Sequence, residues 1–176
     1  FMWDPFADLK QGRLQRLYYY NLSYEKPLYL HIDLTKDSAR QIVFWYVAST
    51  VRHPGIGNYS ALSAERQAAV REATALYARH REYFTRGVFS GPDPLTHVHS
   101  LPGRGALVLR FNPQPQPSSG RVALDAGALG CGAGGGRVET LMGAPVRADF
   151  REGTLQAEYE LDAESALIFR VIPADA

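Results

Sequence analysis

Two clusters in the first sixty residues have side-chain types and spacing suited to chemistry on a polar substrate. In the run Leu28-Tyr-Leu-His-Ile-Asp-Leu34, His31 and Asp33 alternate with apolar neighbours, so on a strand they share one face with Tyr29. Polar groups on an otherwise apolar strand need partners. At the carboxyl end of a barrel strand those partners are substrate groups; deeper in a barrel they form a satisfied network between core layers. Both readings stay open. The second cluster is the turn-rich loop Arg52-His-Pro-Gly-Ile-Gly-Asn58. Arg52, His53 and Asn58 can hydrogen-bond a ligand, and the glycines let backbone approach it. The competing reading is an ordinary helix end, where cations favour the dipole and glycine forms the cap. His31, Asp33, Arg52, His53 and Asn58 are therefore the candidate substrate-binding residues.

Other constellations point to less. His97-Val-His99 puts two imidazoles on one face of a strand, but no third ligand lies nearby, so no metal site is expected. Tyr18-Tyr-Tyr20 and Tyr24 could stack on the apolar face of a pyranose or pack in a core. Phe44-Trp-Tyr46 reads as core. Neither Gly55-Ile-Gly57 nor the tract Gly132–Gly136 is followed by Lys-Ser/Thr, so neither matches a phosphate cradle. The single cysteine, Cys131, excludes an internal disulfide and a multi-Cys metal site, and it has no activating neighbour. No cofactor is expected.

The elements that must position these residues change character near residue 90. Leu9, Leu14, Leu17 and Tyr18 have helical spacing over residues 6–20. Pro27 breaks that pattern, and residues 28–34 follow as a short strand buried on both faces. Asp37 is expected to cap a helix running to Val51, apolar all round through Ile42–Ala48. Ser63 caps a long amphipathic helix to Thr85, with Ala69, Ala73, Leu76, Tyr77, His80 and Phe84 on one stripe and Gly87 as its stop. From Thr96 the pattern is all-β. Strands are expected at 97–101, 106–111, 121–124, 138–141, 146–150, 154–161 and 166–172. A hairpin should turn at Glu152-Gly153, and residues 127–136 read as a flexible connection. Seven strands at this spacing suggest a sandwich.

Composition limits the partners. The chain has 176 residues, 45% hydrophobic and 21% charged, enough for one large domain or two small ones. With 19 basic and 18 acidic residues the net charge is +1, which gives no electrostatic basis for binding nucleic acid or an anionic membrane. No apolar run approaches the ~20 residues that cross a bilayer, and no leader segment is recognisable. A soluble protein is expected. Arg in excess of Lys, with many Ala, Gly and Pro, suggests a bacterial cytoplasm. Asn21-Leu-Ser23 and Asn58-Tyr-Ser60 carry no weight without a secretory context. The opening Phe1-Met-Trp-Asp-Pro-Phe6 reads as the start of a fragment.

Three stretches resemble the C-terminal part of barrel-type glycoside hydrolases, the α-galactosidase and α-amylase-like group. Tyr83-Phe-Thr-Arg-Gly-Val-Phe89 looks like a last barrel helix leading into an appended domain. Gly105-Ala-Leu-Val-Leu-Arg-Phe-Asn-Pro113 is similar to the first long strand of such domains, closing into a turn at Phe-Asn-Pro. Tyr159 through Pro173 is like their closing strand. Residues 21–57 also resemble the final strand and helix of the barrel. The resemblance implies α/β then all-β: residues 1–90 as the end of a (β/α)8 barrel, and 91–176 as an antiparallel β-sandwich. It further implies a carbohydrate partner and contact with the remainder of the same polypeptide. In this group the catalytic carboxylates come from mid-barrel strands, so no catalytic residue carries over.

Overall fold

The computed structural model describes residues 29–33, 37–49, 53–57, 59–132 and 134–174, with backbone alone for 29–33, 49 and 53–57. The expected helix over 6–20, with Tyr18–Tyr20 and Tyr24, lies outside the described residues. The chain divides between Thr85 and Arg86 into two units.

The first unit begins with β1 (Tyr29–Asp33), α1 (Ala39–Ser49) and β2 (His53–Gly57). The two strands pair in parallel, from Tyr29 opposite His53 to Asp33 opposite Gly57. The segment expected as a loop at 52–58 is thus largely a strand. Its composition hid it: Pro54 lacks a donor and the glycines lack β propensity. Among the described residues β2 has β1 on one side only, an edge position that tolerates proline. A parallel pair joined through a helix is the βαβ unit. No closed barrel is present among the described residues.

Helix α1 starts one residue later than Asp37 would set it. Ser38 Oγ accepts from the Gln41 N–H at 3.2 Å, and Gln41 Oε1 accepts from the Ser38 N–H at 2.9 Å. This reciprocal capping box makes Ser38 the cap and leaves Asp37 buried beside it. Ile42 and Phe44–Ala48 are buried, as an all-round apolar helix requires. Helix α2 (Ala64–Arg79) packs against α1, and its N-terminus is capped by Ser63. The expected continuous helix to Thr85 is broken at His80, whose φ of −113° ends α2; α3 (Arg81–Arg86) follows. Ala69, Ala73, His80 and Phe84 of the expected stripe are buried.

The second unit holds β3 (Val88–Asp93), β4 (Thr96–Leu101), β5 (Gly105–Asn112), β6 (Ser118–Asp125), β7 (Gly136–Met142), β8 (Arg147–Arg151), β9 (Thr154–Leu161) and β10 (Ser165–Pro173). They form two antiparallel sheets, β3-β4-β5-β10-β7 and β6-β9-β8. The sandwich expected from the strand spacing is present. Strand β3 was not foreseen, because Gly91 and Pro92 disguise it. Between the sheets pack Val98, Val108, Leu167, Phe169 and Val171 from one side and Val122, Leu124, Leu155 and Leu161 from the other.

The glycine-rich connection before β7 is not the loose tether expected. Leu129 and Cys131 enter the core, and the Cys131 N–H donates to Ala126 O at 2.8 Å. The hairpin between β8 and β9 turns at Glu152-Gly153 as expected, with φ of 49° and 75°. Positive φ at both positions is what a type I′ turn demands. The Phe111-Asn112-Pro113 strand end closes for a visible reason. Asn112 is buried and donates to Gln116 O and Asp162 O, both at 2.8 Å, while its own oxygen accepts from the Gln114 N–H. It ties the proline-rich turn to the β9–β10 turn.

Gly105 opens β5 at φ +84°, and a Cβ there would lie 2.0 Å from Val171 O. Gly103, in the preceding turn at φ +71°, has nothing within 4 Å of such an atom. Gly105→Ala should therefore cost about 3 kcal/mol or more, combining left-handed strain with overpacking. Gly103→Ala should cost only about 1 kcal/mol. Urea unfolding of the two variants checks the contrast.

Candidate functional site

A parallel pair presents two different ends, and the register sorts the sequence-derived candidates between them. Asp33 ends β1 opposite Gly57, so Asp33 lies at the carboxyl edge, the end where parallel α/β sheets bind ligands. Asn58 follows Gly57 in the chain and lies outside the described residues. His31 sits opposite Gly55 in mid-strand. His53 lies opposite Tyr29 at the amino edge, four residues back from Asp33, or roughly 13 Å at 3.3 Å per residue. Arg52, which precedes His53, lies outside the described residues. The register therefore does not gather the three described candidates, His31, Asp33 and His53, at one place. It puts Asp33 at one end of the pair and His53 at the other.

The carboxyl edge of β2 carries a residue that sequence reading passed over. Tyr59 opens a 3-10 turn (Tyr59–Ala61) and is partly exposed. Its hydroxyl accepts from Arg71 Nη1 at 3.0 Å, and Gln67 Nε2 donates to Leu62 O at 3.0 Å just beyond. These bonds from α2 fix an aromatic ring at a strand end. The available signal was its place directly after Asn58. Sequence reading treated the segment as a loop and stopped there.

In the second unit, the two imidazoles of His97 and His99 do share one face of β4. Both rings are buried against Phe89, at 5.2 and 5.0 Å between centroids, and His97 also meets Phe111 at 4.8 Å. His97 Nε2 lies 3.2 Å from Pro94 O. Burial is the main cause that lowers the His97 pKa to about 4, against the opposing pull of Pro94 O and Asp93. No group of three His, Cys, Asp or Glu residues with metal-binding geometry occurs among the described residues.

The two sheets differ in their outward faces. Of the residues on β4, β5 and β10 that point away from the core set, His97, His99, Leu107, Leu109, Phe111 and Ile168 are buried, while Leu101, Ile172 and Arg170, which pairs with Glu139, are partly exposed. The outward face of the three-stranded sheet is polar instead, with Arg121, Arg147, Asp149 and Glu158 exposed. Arg121 and Glu158 pair there; the hydrogen bond, then the charge, of Arg121 holds the Glu158 carboxyl below its ordinary value. A shallow open groove of about 600 Å³ crosses this side, lined by Ser119, Arg121, Arg147, Glu158, Tyr159 and Glu160. Its charges are largely spent on each other.

One polar node joins the sheets. Arg110 donates to Asp93 Oδ1 at 2.9 Å, to Thr96 Oγ1, and across the sandwich to the Tyr159 hydroxyl at 3.1 Å. Its guanidinium carbon also lies 5.1 Å from the Tyr159 ring centroid. Gly120 faces that ring, and a Cβ there would come within 2.8 Å of the Tyr159 oxygen. Removing Arg110 takes one of the two bonds of the buried Thr96 hydroxyl, which still donates to Asp93, and loosens the inter-sheet contact, so Arg110→Ala should cost about 2 kcal/mol. Tyr159→Phe, which keeps the ring and loses one hydrogen bond, should cost about 1 kcal/mol. A double-mutant cycle by denaturant unfolding should give a combined loss smaller than the sum.

No protein-family model matches the chain, and no curated protein matches it. Solved structures similar to it include an alpha-amylase from H. orenii, at 12% identity and a TM-score of 0.37, covering 58% of this chain and 20% of that one. A debranching enzyme from Nostoc punctiforme is similar at 13% identity and a TM-score of 0.47, covering 73% of this chain and 31% of that one. The chain thus spans less than a third of the length of either. Among the described residues no helix is long and apolar enough to cross a membrane.

Proposed function

We propose that the chain is the C-terminal region of a glycoside hydrolase-like, carbohydrate-active protein. The first unit, to Thr85, is the end of its α/β barrel, and the second, from Arg86, is an appended β-sandwich that packs on the barrel and stabilises it. The observation that carries this reading is the chain order: a parallel βαβ unit, then an antiparallel sandwich whose larger sheet has buried residues on both faces. The partner of the sandwich is the remainder of the same polypeptide. Asp33, at the carboxyl edge, is the best placed of the described candidates to meet a sugar. Glycoside hydrolysis needs two carboxylates roughly 5–10 Å apart. None pairs with Asp33 in the β1–β2 register, so this chain by itself is expected to be inert. Incubated with a panel of nitrophenyl glycosides, α-glucoside and α-galactoside included, it should release no nitrophenol above the blank. Release that scales with protein concentration sinks the reading.

A second reading is a non-catalytic glycan-binding module, and Tyr59 favours it. An exposed phenol ring held by Arg71 can cover the apolar face of a pyranose. In affinity electrophoresis through gels containing soluble starch or galactomannan, the chain should then be retarded. Tyr59→Ala should abolish the retardation and Tyr59→Phe should keep most of it. Migration unaffected by every glycan ends this reading.

A further inference from the structure

Two sheets have four edge strands between them, and here three are guarded against pairing with another chain. Strand β3 carries Pro92 and a break in its pairing between Ser90 and Asp93. On β7 the register slips beside β10, leaving Leu141 without an opposite residue. Strand β8 is only five residues long, and Arg147, Asp149 and Arg151 stand exposed on it. Proline, bulges, shortness and charge are the usual means of blunting an edge.

The fourth edge, β6, has little of this. It runs eight residues, Ser118–Asp125, in unbroken register with β9. Among the described residues β9 is its one neighbour, and residues 118–124 make no backbone hydrogen bond elsewhere. Its far side is therefore a row of unpaired N–H and C=O groups. Ser118, Ser119, Gly120, Arg121, Ala123 and Asp125 are exposed, and most are too small to screen the backbone.

We propose that this edge pairs antiparallel with the same strand of a second copy, joining the two three-stranded sheets into one. A two-fold axis fixes the register. Outward residues must oppose outward residues, so the axis passes through a residue and never between two. Centred on Arg121, it sets two guanidiniums directly opposite each other, which is unfavourable. Centred on Val122, it sets Arg121 opposite the partner's Ala123, Gly120 opposite the partner's Leu124 and Ser119 opposite the partner's Asp125. Centres further along in either direction shorten the pairing. In the Val122 register Arg121, which already meets Glu158 of its own chain, lies diagonal to the partner's Asp125. Symmetry makes that contact twice. The inference concerns the second unit alone and holds whichever reading of function stands.

Sedimentation equilibrium of the whole chain between about 1 μM and about 1 mM should show a monomer–dimer equilibrium. Ala123→Glu, opposite the partner's Arg121, should tighten it about tenfold, and Ala123→Lys should weaken it by as much. Hydrogen exchange should slow with concentration at 118–125 and stay unchanged at 147–151, the other edge of the same sheet. Should either variant not fold, Arg121→Gln decides the register: it weakens the dimer centred on Val122 and tightens one centred on Arg121. A chain monomeric throughout leaves the edge to another segment of the polypeptide and overturns the proposal. A dimer that both Ala123 variants shift alike, or protection gained at 147–151 instead, overturns it as well.

Discussion

The pairing of β5 with β10 is the constraint on which the second unit depends. Seven residue pairs, from Ser165 opposite Asn112 to Val171 opposite Ala106, join strands more than fifty residues apart in the chain. Loop closure over that distance costs entropy before any contact returns it. The return comes from both faces of the two strands at once. Val108, Leu167, Phe169 and Val171 fill the space between the sheets, while Leu107, Leu109 and Ile168 are buried on the other side. Few strands of a small sandwich contribute apolar surface in both directions, and these sit at the centre of the larger sheet for that reason.

Two glycines make that centre possible. A Cβ at Gly105 or Gly136 would meet the carbonyl oxygens of Val171 and Ile172, both on β10, at 2.0 and 2.2 Å. They start β5 and β7, the two neighbours of β10, so each neighbour approaches β10 closely where it enters the sheet. From there the remaining strands follow by crossing between sheets after β5, β6, β7 and β9. Each crossing is pinned by a local device: Asn112 for the first, Leu129 and Cys131 for the second, and the Val146 N–H donating to Thr140 Oγ1 at 3.0 Å for the third. The fourth, at the β9–β10 turn, uses Glu164 at φ 50°.

Polar groups inside this unit are few, and each is placed to join elements that the apolar core leaves separate. Arg110 reaches from β5 to β3, β4 and β9. Asn112 links two turns. The imidazole pair receives Phe89 of the edge strand. This division of labour explains why the outward face of the three-stranded sheet can be given over to exposed Arg, Asp and Glu without structural consequence, since surface ion pairs of that kind contribute little. In the first unit the corresponding role falls to the Ser38–Gln41 capping box and to the Arg71 and Gln67 side chains around Tyr59.

Period and composition alone determined a good deal. The two-residue alternation of 97–101, 106–111, 154–161 and 166–172 located those strands, because burial of one face imposes that period wherever it occurs. Glu152-Gly153 announced its turn, and Ser63 its cap, since both signals are local. What the sequence concealed was set by partners distant in the chain. His53–Gly57 is a strand because β1 offers it a parallel edge, though Pro54 and two glycines argue locally for a loop. Val88–Asp93 is a strand because Phe89 and Asp93 find His97, His99 and Arg110. Leu129 and Cys131 are held in the core because they fit a space that exists only once both sheets have formed. The candidate site divides in the same way. His31, Asp33 and His53 were recognisable as polar residues in unusual settings, but their distribution along the strand pair was fixed by register, which depends on how two strands meet and not on either strand alone.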